Sequence, residues 1–331
     1  MSQPPGSRPD ALACLPVDGV GEVAAGADLA AVLLEAVTPQ DGDVLVVTSK
    51  VVSKAEGRVR SGSREDLLAE ETDRVVAVRG RTSIVRTHHG LVMAAAGIDA
   101  SNTGLGTVVL LPADPDASAR RLREQVAART GRNVAVLVTD TAGRAWRTGQ
   151  TDIAVGAAGL DVLHDYAGVV DPHGNELAVT APAVADEIAA AADLVKRKLG
   201  RRPAAVVRGL ADLVLPAGHH GPGAAALVRP EEQDMFGLGA REAVLAALRG
   251  TEARGFGAPC SADELADQLA ALAGAGAVVT RDGGRVSVRL GGSEREQGAQ
   301  AVTLRAAAFA LGWRAHDDAV QPLVRFAPAT P

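Results

Sequence analysis

The sequence predicts a layered protein that mixes helices with strands, of the α/β or the α+β class. Short apolar runs of strand length alternate with segments of helical periodicity along the 331 residues. Hydrophobic residues make up 47% of the chain and aromatic residues only 2%, so the expected core is aliphatic. A chain of this length can bury the core of one large domain or of two ordinary ones.

Charge and cysteine content restrict the classes of function. The net charge of -6 argues against nucleic acid or an anionic membrane as a partner, and so few aromatic residues offer no stacking platform for single-stranded nucleic acid. Cys14 and Cys260 lack CxxC spacing, which indicates a reducing compartment rather than a disulfide framework or a zinc site. The first ten residues contain no apolar signal core, and no apolar run approaches the roughly 20 residues of a membrane span. We therefore expect a cytoplasmic protein that acts on small molecules.

Individual elements follow from apolar runs, caps and turn residues. The predicted strands are Asp43–Val47, Thr107–Leu111, Asn133–Val138 and Pro203–Leu210. One predicted helix begins with Asp114 as N-cap and Pro115 at its first position, and ends near Gly131. A second covers Val184–Leu199, because its first turn is acidic and its last turn carries the basic residues Lys196, Arg197 and Lys198.

A composition shift places a domain boundary near residues 245–255. We expect a first domain of residues 1–248 and a small C-terminal α/β appendage of residues 249–331. In the appendage, Ser261 and Glu264 form a capping-box pattern that opens a helix to about Ala275. A hairpin around Arg281–Gly284 and a helix from about Glu294 to Trp313 follow.

Three polar constellations follow apolar runs. The segment Thr48–Arg58 places hydroxyls, Lys50 and Lys54 after a strand, where they could meet phosphate oxygens or form a solvated loop. Asp99 is either a metal ligand or an Asx turn or cap. Asp140 and Thr141 follow the strand that ends at Val138, and Asp99 and Asp140 could share one Mg²⁺ with phosphate and water. The chain contains no Walker loop, complete GxGxxG, HExxH or GxSxG motif.

Five blocks of sequence occur in a distinctive order. They read GDVLVVTSKVVSKAEGR, GLVMAAAGIDASN, VLVTDTAGRAWRTGQTDIAVGAAGL, YAGVVDPHGNEL and VADEIAAAADLVK. Together they resemble the coenzyme F420-0:L-glutamate ligase family, also called F420 gamma-glutamyl ligase, over about residues 12–245. The resemblance implies an unusual α+β fold of two subdomains and an intertwined homodimer.

The resemblance also implies a GTP-dependent ligase of coenzyme F420 biosynthesis. Family members use GTP as a co-substrate and Mg²⁺ or Mn²⁺, with K⁺ helping. They join L-glutamate to the phospholactate carboxylate of coenzyme F420-0 or dehydro-F420-0, and add further glutamates by gamma linkage. The implied route converts the carboxylate into an acyl phosphate, which the glutamate amine then attacks.

Site residues carry over position by position. The resemblance assigns metal binding to Asp99 and Asp140, and a second-metal position to Thr141. It assigns GTP contacts to Ser49, Lys54 and Asn102, with Lys50 beside them, and a nucleotide loop to Val20, Gly21, Glu22 and Val23. From their chemistry alone, Arg144 and Arg147 are added as candidate catalytic clamps for phosphate or phospholactate, with pairing to Asp152 or Glu176 as an equally weighted alternative.

The chain departs from the family pattern at three places. Gly21 stands where the nucleotide loop usually has proline, and Arg197 and Lys198 stand where archaeal members carry a Gly-Gln pair near the second metal. The last 80 or so residues are too few for the flavin-binding, nitroreductase-like domain of some actinobacterial relatives, so we predict no FMN. The alternative functions are a non-catalytic GTP- or metal-binding relative and an amide ligase with another carboxylate acceptor.

Overall fold

A computed structural model describes residues 11–101, 103–178, 180–317 and 322–329 of the chain. Helices and sheets are mixed along the chain, which confirms the α+β class. The strands are β1 (Ala13–Val17), β2 (Val44–Thr48), β3 (Val59–Ser61), β4 (Thr72–Arg79), β5 (Thr82–Thr87), β6 (Val92–Ala94), β7 (Thr107–Val109), β8 (Ala135–Arg144), β9 (Arg147–Ala158), β10 (Ala204–Arg208), β11 (Val278–Asp282), β12 (Arg285–Arg289), β13 (Trp313–Asp317) and β14 (Leu323–Pro328). The α-helices are α1 (Leu29–Ala36), α2 (Ser49–Ala55), α3 (Arg64–Leu68), α4 (Pro115–Thr130), α5 (Val184–Lys196), α6 (Ala240–Arg249), α7 (Ala262–Leu272) and α8 (Glu294–Ala310).

A five-stranded sheet in the order β1-β10-β2-β8-β9 organises the first part of the chain. Within it β2 and β8 are parallel, and Thr48, the last residue of β2, pairs with Thr139, midway along β8. The strands β2 and β8 are apolar on both faces because each face is covered. One face packs on a core that includes Leu33 of α1 and Leu122 of α4, and the other on a core that includes Ile188 of α5. The residues that directly follow β2 are therefore brought beside the polar continuation of β8.

A bulge interrupts the β8–β9 hairpin. Val138 pairs with Gly156, but the next residue, Thr139, pairs with Ala154, so β9 carries one extra residue. At this point α4 approaches closely, since a Cβ on Gly156 would lie 2.3 Å from the carbonyl oxygen of Pro115. Glycine is therefore the residue that this close contact allows, because it has no Cβ.

The chain divides into two compact units. The first contains the residues up to Val75 together with Ile84–Val228, and the second contains Val76–Ser83 and the residues from Arg229 onward. The second unit has its own sheet, in the order β11-β12-β14-β13, and its own core. The domain limit at 248/249 remains a sequence prediction, and it falls within the last turn of α6.

Several predicted elements differ at their ends. Helix α4 has the predicted Asp114 cap and is followed by Gly131 as its C-cap, but α5 ends at Lys196 rather than Leu199. In the second unit the Arg281–Gly284 hairpin is confirmed, whereas α8 stops at Ala310 and Trp313 opens a strand. No helix within the described ranges is both long and apolar enough to cross a membrane.

Candidate active site

Two adjacent residues of α2 hold the two predicted metal-binding aspartates. Ser49 Oγ donates a hydrogen bond of 2.9 Å to Asp140 Oδ1, while Lys50 Nζ lies 2.6 Å from Asp99 Oδ2. This arrangement follows from the parallel pairing of β2 and β8, because α2 starts where β2 ends and Asp140 lies one residue beyond Thr139. The segment Thr48–Arg58 is therefore largely helical and in contact with the site, and the solvated-loop alternative is wrong.

Asp99 is fixed by its own loop as well as by Lys50. Its backbone exchanges two hydrogen bonds with Val109, and its carboxylate accepts bonds from the backbone N–H and the Oγ of Ser101. Burial by itself would raise the pKa of Asp99, but the hydrogen bonds from Lys50 and Ser101 outweigh it and leave the pKa below its usual value. The protein thus stabilises the charged form of Asp99. Its side chain both forms the local turn with Ser101 and contacts Lys50 of α2.

Asp140 has the opposite electrostatic character. Burial raises the pKa of its carboxyl to about 6, the hydrogen bond from Ser49 opposes this rise, and the charges of Asp152 and Asp99 add to it. A cation beside Asp140 would offset this desolvation cost by stabilising the charged carboxylate. The two aspartates therefore differ: Asp99 already has a cationic partner, and Asp140 does not have one among the contacts that shift its pKa.

The predicted nucleotide loop reaches the same helix. Glu22 is exposed, and its carboxylate pairs with Nζ of the buried Lys54 in α2. Val23 anchors the loop in the core. The structure thus brings the loop Val20–Val23 together with Ser49, Lys50 and Lys54, whereas Asn102 lies outside the described residues.

Behind Asp140, on the other face of the sheet, lies a polar network that the sequence did not reveal. Asp152 of β9 accepts hydrogen bonds from Thr139 (3.0 Å), Thr141 (2.8 Å) and Lys196 (2.6 Å). Strand alternation explains the placement, since Asp140 points to one face and its neighbours Thr139 and Thr141 to the other. The sequence signal for this network is limited to the polar residues of TDT on β8 and QTD on β9, of which Thr141 and Asp152 stand opposite each other.

The predicted arginine clamps lie at the tip of this hairpin. Arg144 and Arg147 are exposed, and Arg144 Nη2 donates to the carbonyl oxygen of Thr148 at 3.1 Å. Arg144 lies four residues beyond Asp140 along β8, about 13 Å at the usual rise, so the structure does not gather these arginines around the aspartates. The alternative that they pair with Asp152 is wrong, because the cation on Asp152 is Lys196.

The donor set around Asp99 and Asp140 fits one divalent cation. The described residues contain no group of three His, Cys, Asp or Glu side chains arranged to hold a metal. Mg²⁺ is commonly bound by one or two carboxylates with phosphate oxygens and water as the other ligands. A pair of aspartates beside two lysines matches that pattern, and the buried Asp140 carboxylate gains most from the added charge.

Comparison with known proteins identifies the family of the chain. The family model described as F420-0:Gamma-glutamyl ligase matches residues 19–66 and 62–209. This chain belongs to the F420-0:gamma-glutamyl ligase family. The matched span contains every candidate residue and the Asp152–Lys196 pair, while the residues beyond 209 lie outside it.

Archaeal proteins named coenzyme F420:L-glutamate ligase share about 40% identity with this chain. The coenzyme F420:L-glutamate ligase of Archaeoglobus fulgidus is 41% identical over 217 residues, 59% of this chain and 86% of that protein. Its namesake from Methanothermobacter thermautotrophicus is 40% identical over 248 residues, covering 66% and 96%. The Haloarcula marismortui ligase is 38% identical over 252 residues, covering 68% and 96%.

Proposed function

We propose that this chain is a ligase of coenzyme F420 biosynthesis. It joins L-glutamate to the carboxylate of coenzyme F420-0 or dehydro-F420-0, with GTP and Mg²⁺ or Mn²⁺. Family membership and the names of the archaeal relatives support the ligase reaction. The observation that carries the site is that the adjacent residues Ser49 and Lys50, which directly follow β2, hold Asp140 of the parallel strand β8 and Asp99.

The residues of this candidate site suit phosphoryl transfer. Lys50 and Lys54 supply two cations on one helix for the GTP phosphates, and Ser49 keeps Asp140 oriented. Asp99 and Asp140 would hold the divalent ion, which when bound neutralises charge on the phosphoryl group being transferred. Asp99 pairs with Lys50 and Glu22 with Lys54, so GTP phosphates would replace carboxylates as the partners of the two lysines.

The reaction proceeds through an acyl phosphate. An oxygen of the acceptor carboxylate attacks the gamma phosphorus of GTP, and GDP leaves. The amine of glutamate then attacks the acyl carbon, inorganic phosphate leaves with the electron pair of the C–O bond, and the amine loses a proton. Positioned charge is the main requirement of the first step, and covalent help from the protein is not needed.

K⁺ dependence, further gamma-linked additions and a homodimer belong to the same proposal. The family resemblance is their support. Assays with and without KCl, the mass of the product and light scattering of the purified protein test the three separately.

The main experiment follows GDP release together with the mass of the deazaflavin product. Purified protein receives GTP, MnCl₂ or MgCl₂, L-glutamate and F420-0, and we expect a glutamate-sized mass increase that requires both GTP and glutamate. Asp140→Asn should lower the rate about 100-fold or more, since the variant loses a metal-binding carboxylate. The bound metal contributes several kcal/mol to stabilising the charge of the transition state. Asp41→Asn is the matched control, because Asp41 is exposed and bonds Asn133 at the opposite end of β8.

The outcomes separate the candidate functions. GTP binding without a glutamate-containing product would contradict the proposed acceptor and favour a non-catalytic relative or a ligase for another carboxylate. Full activity in Asp140→Asn would contradict the site while leaving the reaction intact.

A further inference from the structure

Three oxygen-bearing side chains form a small cradle behind Asp140. We define this cradle as Thr139, Thr141 and Asp152. Both threonine hydroxyls donate to Asp152, one to each carboxylate oxygen, at 3.0 Å for Thr139 and 2.8 Å for Thr141. One carboxylate and two hydroxyls are ligands that hard cations accept.

The cradle already contains a cation. Lys196 Nζ lies 2.6 Å from Asp152 Oδ2 and donates to Thr139 Oγ1 at 2.9 Å. Lys196 and Asp152 are each only 4% exposed, and Thr139 is fully buried. The Thr139 hydroxyl thus has a partner both as acceptor and as donor, since it accepts a hydrogen bond from the ammonium and donates one to Asp152.

The geometry also separates the cradle from the predicted metal site. Thr139 and Thr141 point to the α5 face of the sheet, and Asp140 points to the α2 face, where it meets Ser49. A divalent ion in the cradle would have to displace the ammonium of Lys196. That would leave a buried, unpaired lysine charge, which is strongly unfavourable.

We propose that the Lys196 ammonium is the resident cation of the cradle. The chain then binds divalent metal on the Asp99 and Asp140 side alone, and Thr141 positions Asp152 instead of coordinating metal. This inference rests on the proposed function only in taking Asp99 and Asp140 as the metal site.

The test is a count of bound Mn²⁺ in full-length protein titrated with MnCl₂ alone, read by electron paramagnetic resonance and calorimetry. Lys196→Met should bind one more Mn²⁺ per chain than the unmodified protein, because the cradle loses its cation and keeps its carboxylate. It should also lose thermal stability in metal-free buffer and regain it with MnCl₂. The double variant Lys196→Met/Asp152→Asn is the matched control, and it should return to the original count and be more stable than Lys196→Met in metal-free buffer.

Thr141→Val gives an independent readout that does not require Lys196→Met to fold. Under the proposal its Mn²⁺ affinity equals that of the unmodified protein, whereas a tenfold or greater loss would overturn it. An unchanged Mn²⁺ count in folded Lys196→Met would also overturn it. If the unmodified protein bound no Mn²⁺ and Lys196→Met bound one, the metal site of the proposed function would fail while the cradle assignment stood.

Discussion

At the scale of single residues, two neighbouring aspartates of the site differ in how strongly the protein stabilises their charged forms. Lys50 and Ser101 stabilise the charge of Asp99, whereas burial and two nearby carboxylates destabilise the charge of Asp140. The unfavourable charge is therefore located on the residue best placed to gain from a metal. This has a consequence for stability that can be measured without any substrate.

We expect Asp140→Asn to stabilise the metal-free protein at neutral pH. The folded-state pKa of about 6 lies above the usual value of 3.8. The native state therefore holds this proton more tightly than the unfolded state, and stability is lost as pH rises from about 4 through about 6. Above that range the variant should be more stable by up to about 3 kcal/mol, and near pH 4 the difference should vanish.

Thermal unfolding at pH 4 and pH 7.5, with and without MnCl₂, checks this expectation. MnCl₂ should raise the melting temperature of the unmodified protein at pH 7.5 and have little effect on the variant. A variant that is less stable than the unmodified protein at pH 7.5 without metal would show that the charge of Asp140 does not destabilise the folded state.

Sequence reasoning found one side of the site and missed the other. Ser49, Lys50, Asp99 and Asp140 were named from their positions after apolar runs and from the family blocks, and the structure brings them together. The sequence presents Lys196 as a basic residue that complements the helix dipole in the last turn of α5, yet in the structure it is buried against Asp152. A lysine in a last helical turn looks the same in sequence whether its partner is water or a carboxylate on a distant strand.

At the scale of elements, the bulge in β9 explains why Asp152 was hard to place. Asp152 and Ala158 are an even number of residues apart, so regular alternation would put them on one face of the sheet. Ala158 instead packs in the core beneath α1 and α4, and Asp152 meets α5 on the opposite face. The extra residue reverses which face of the sheet each later position occupies, and nothing in the local sequence marks this reversal apart from Gly156.

Gly156→Ala should destabilise the first unit by about 1–3 kcal/mol, the usual cost of overpacking. The added methyl group would overlap the backbone of Pro115, which cannot move without shifting the start of α4. Gly143→Ala on β8 is the matched control, because a Cβ there meets nothing within 4 Å. Denaturant unfolding of both variants measures the difference, and equal stability of the two would rule out the close approach.

The end of α5 offers a stabilising change. Arg197 caps the helix with φ of +57°, a conformation that glycine adopts at less cost. Arg197→Gly should therefore raise stability by about 1 kcal/mol. Lys198→Gly, next along the chain and also exposed, should give no gain, so a shared response of the two variants would point to charge rather than backbone strain.

At the scale of the whole molecule, the two tryptophans report on different units. Trp313 is 2% exposed in the core of the second unit, whereas Trp146 is 86% exposed at the hairpin tip of the first. A large change of fluorescence on unfolding must therefore come from Trp313. The cores of the two units are built from separate sets of residues.

We expect GTP with MgCl₂ to stabilise the first unit selectively. Calorimetry should show a transition that moves up with ligand concentration, while the fluorescence transition of Trp313 stays in place. Trp146→Phe should preserve the fluorescence transition and Trp313→Phe should remove it. A fluorescence midpoint that follows the ligand as closely as the calorimetric one would mean that the two units unfold together.

The strand order of the first unit also determines when the site can form during synthesis. Strand β1 at the start of the chain pairs with β10, Ala13 opposite Arg208, and the site needs β2 to meet β8, Val44 opposite Ala135. Loop closures of this span are slow, and they leave hydrophobic strands with open edges until the later strands arrive. A ribosome that has delivered only β1 and β2 has thus exposed two strands whose partners in the sheet have not yet been made. The central sheet is completed only after residue 208 has left the exit tunnel.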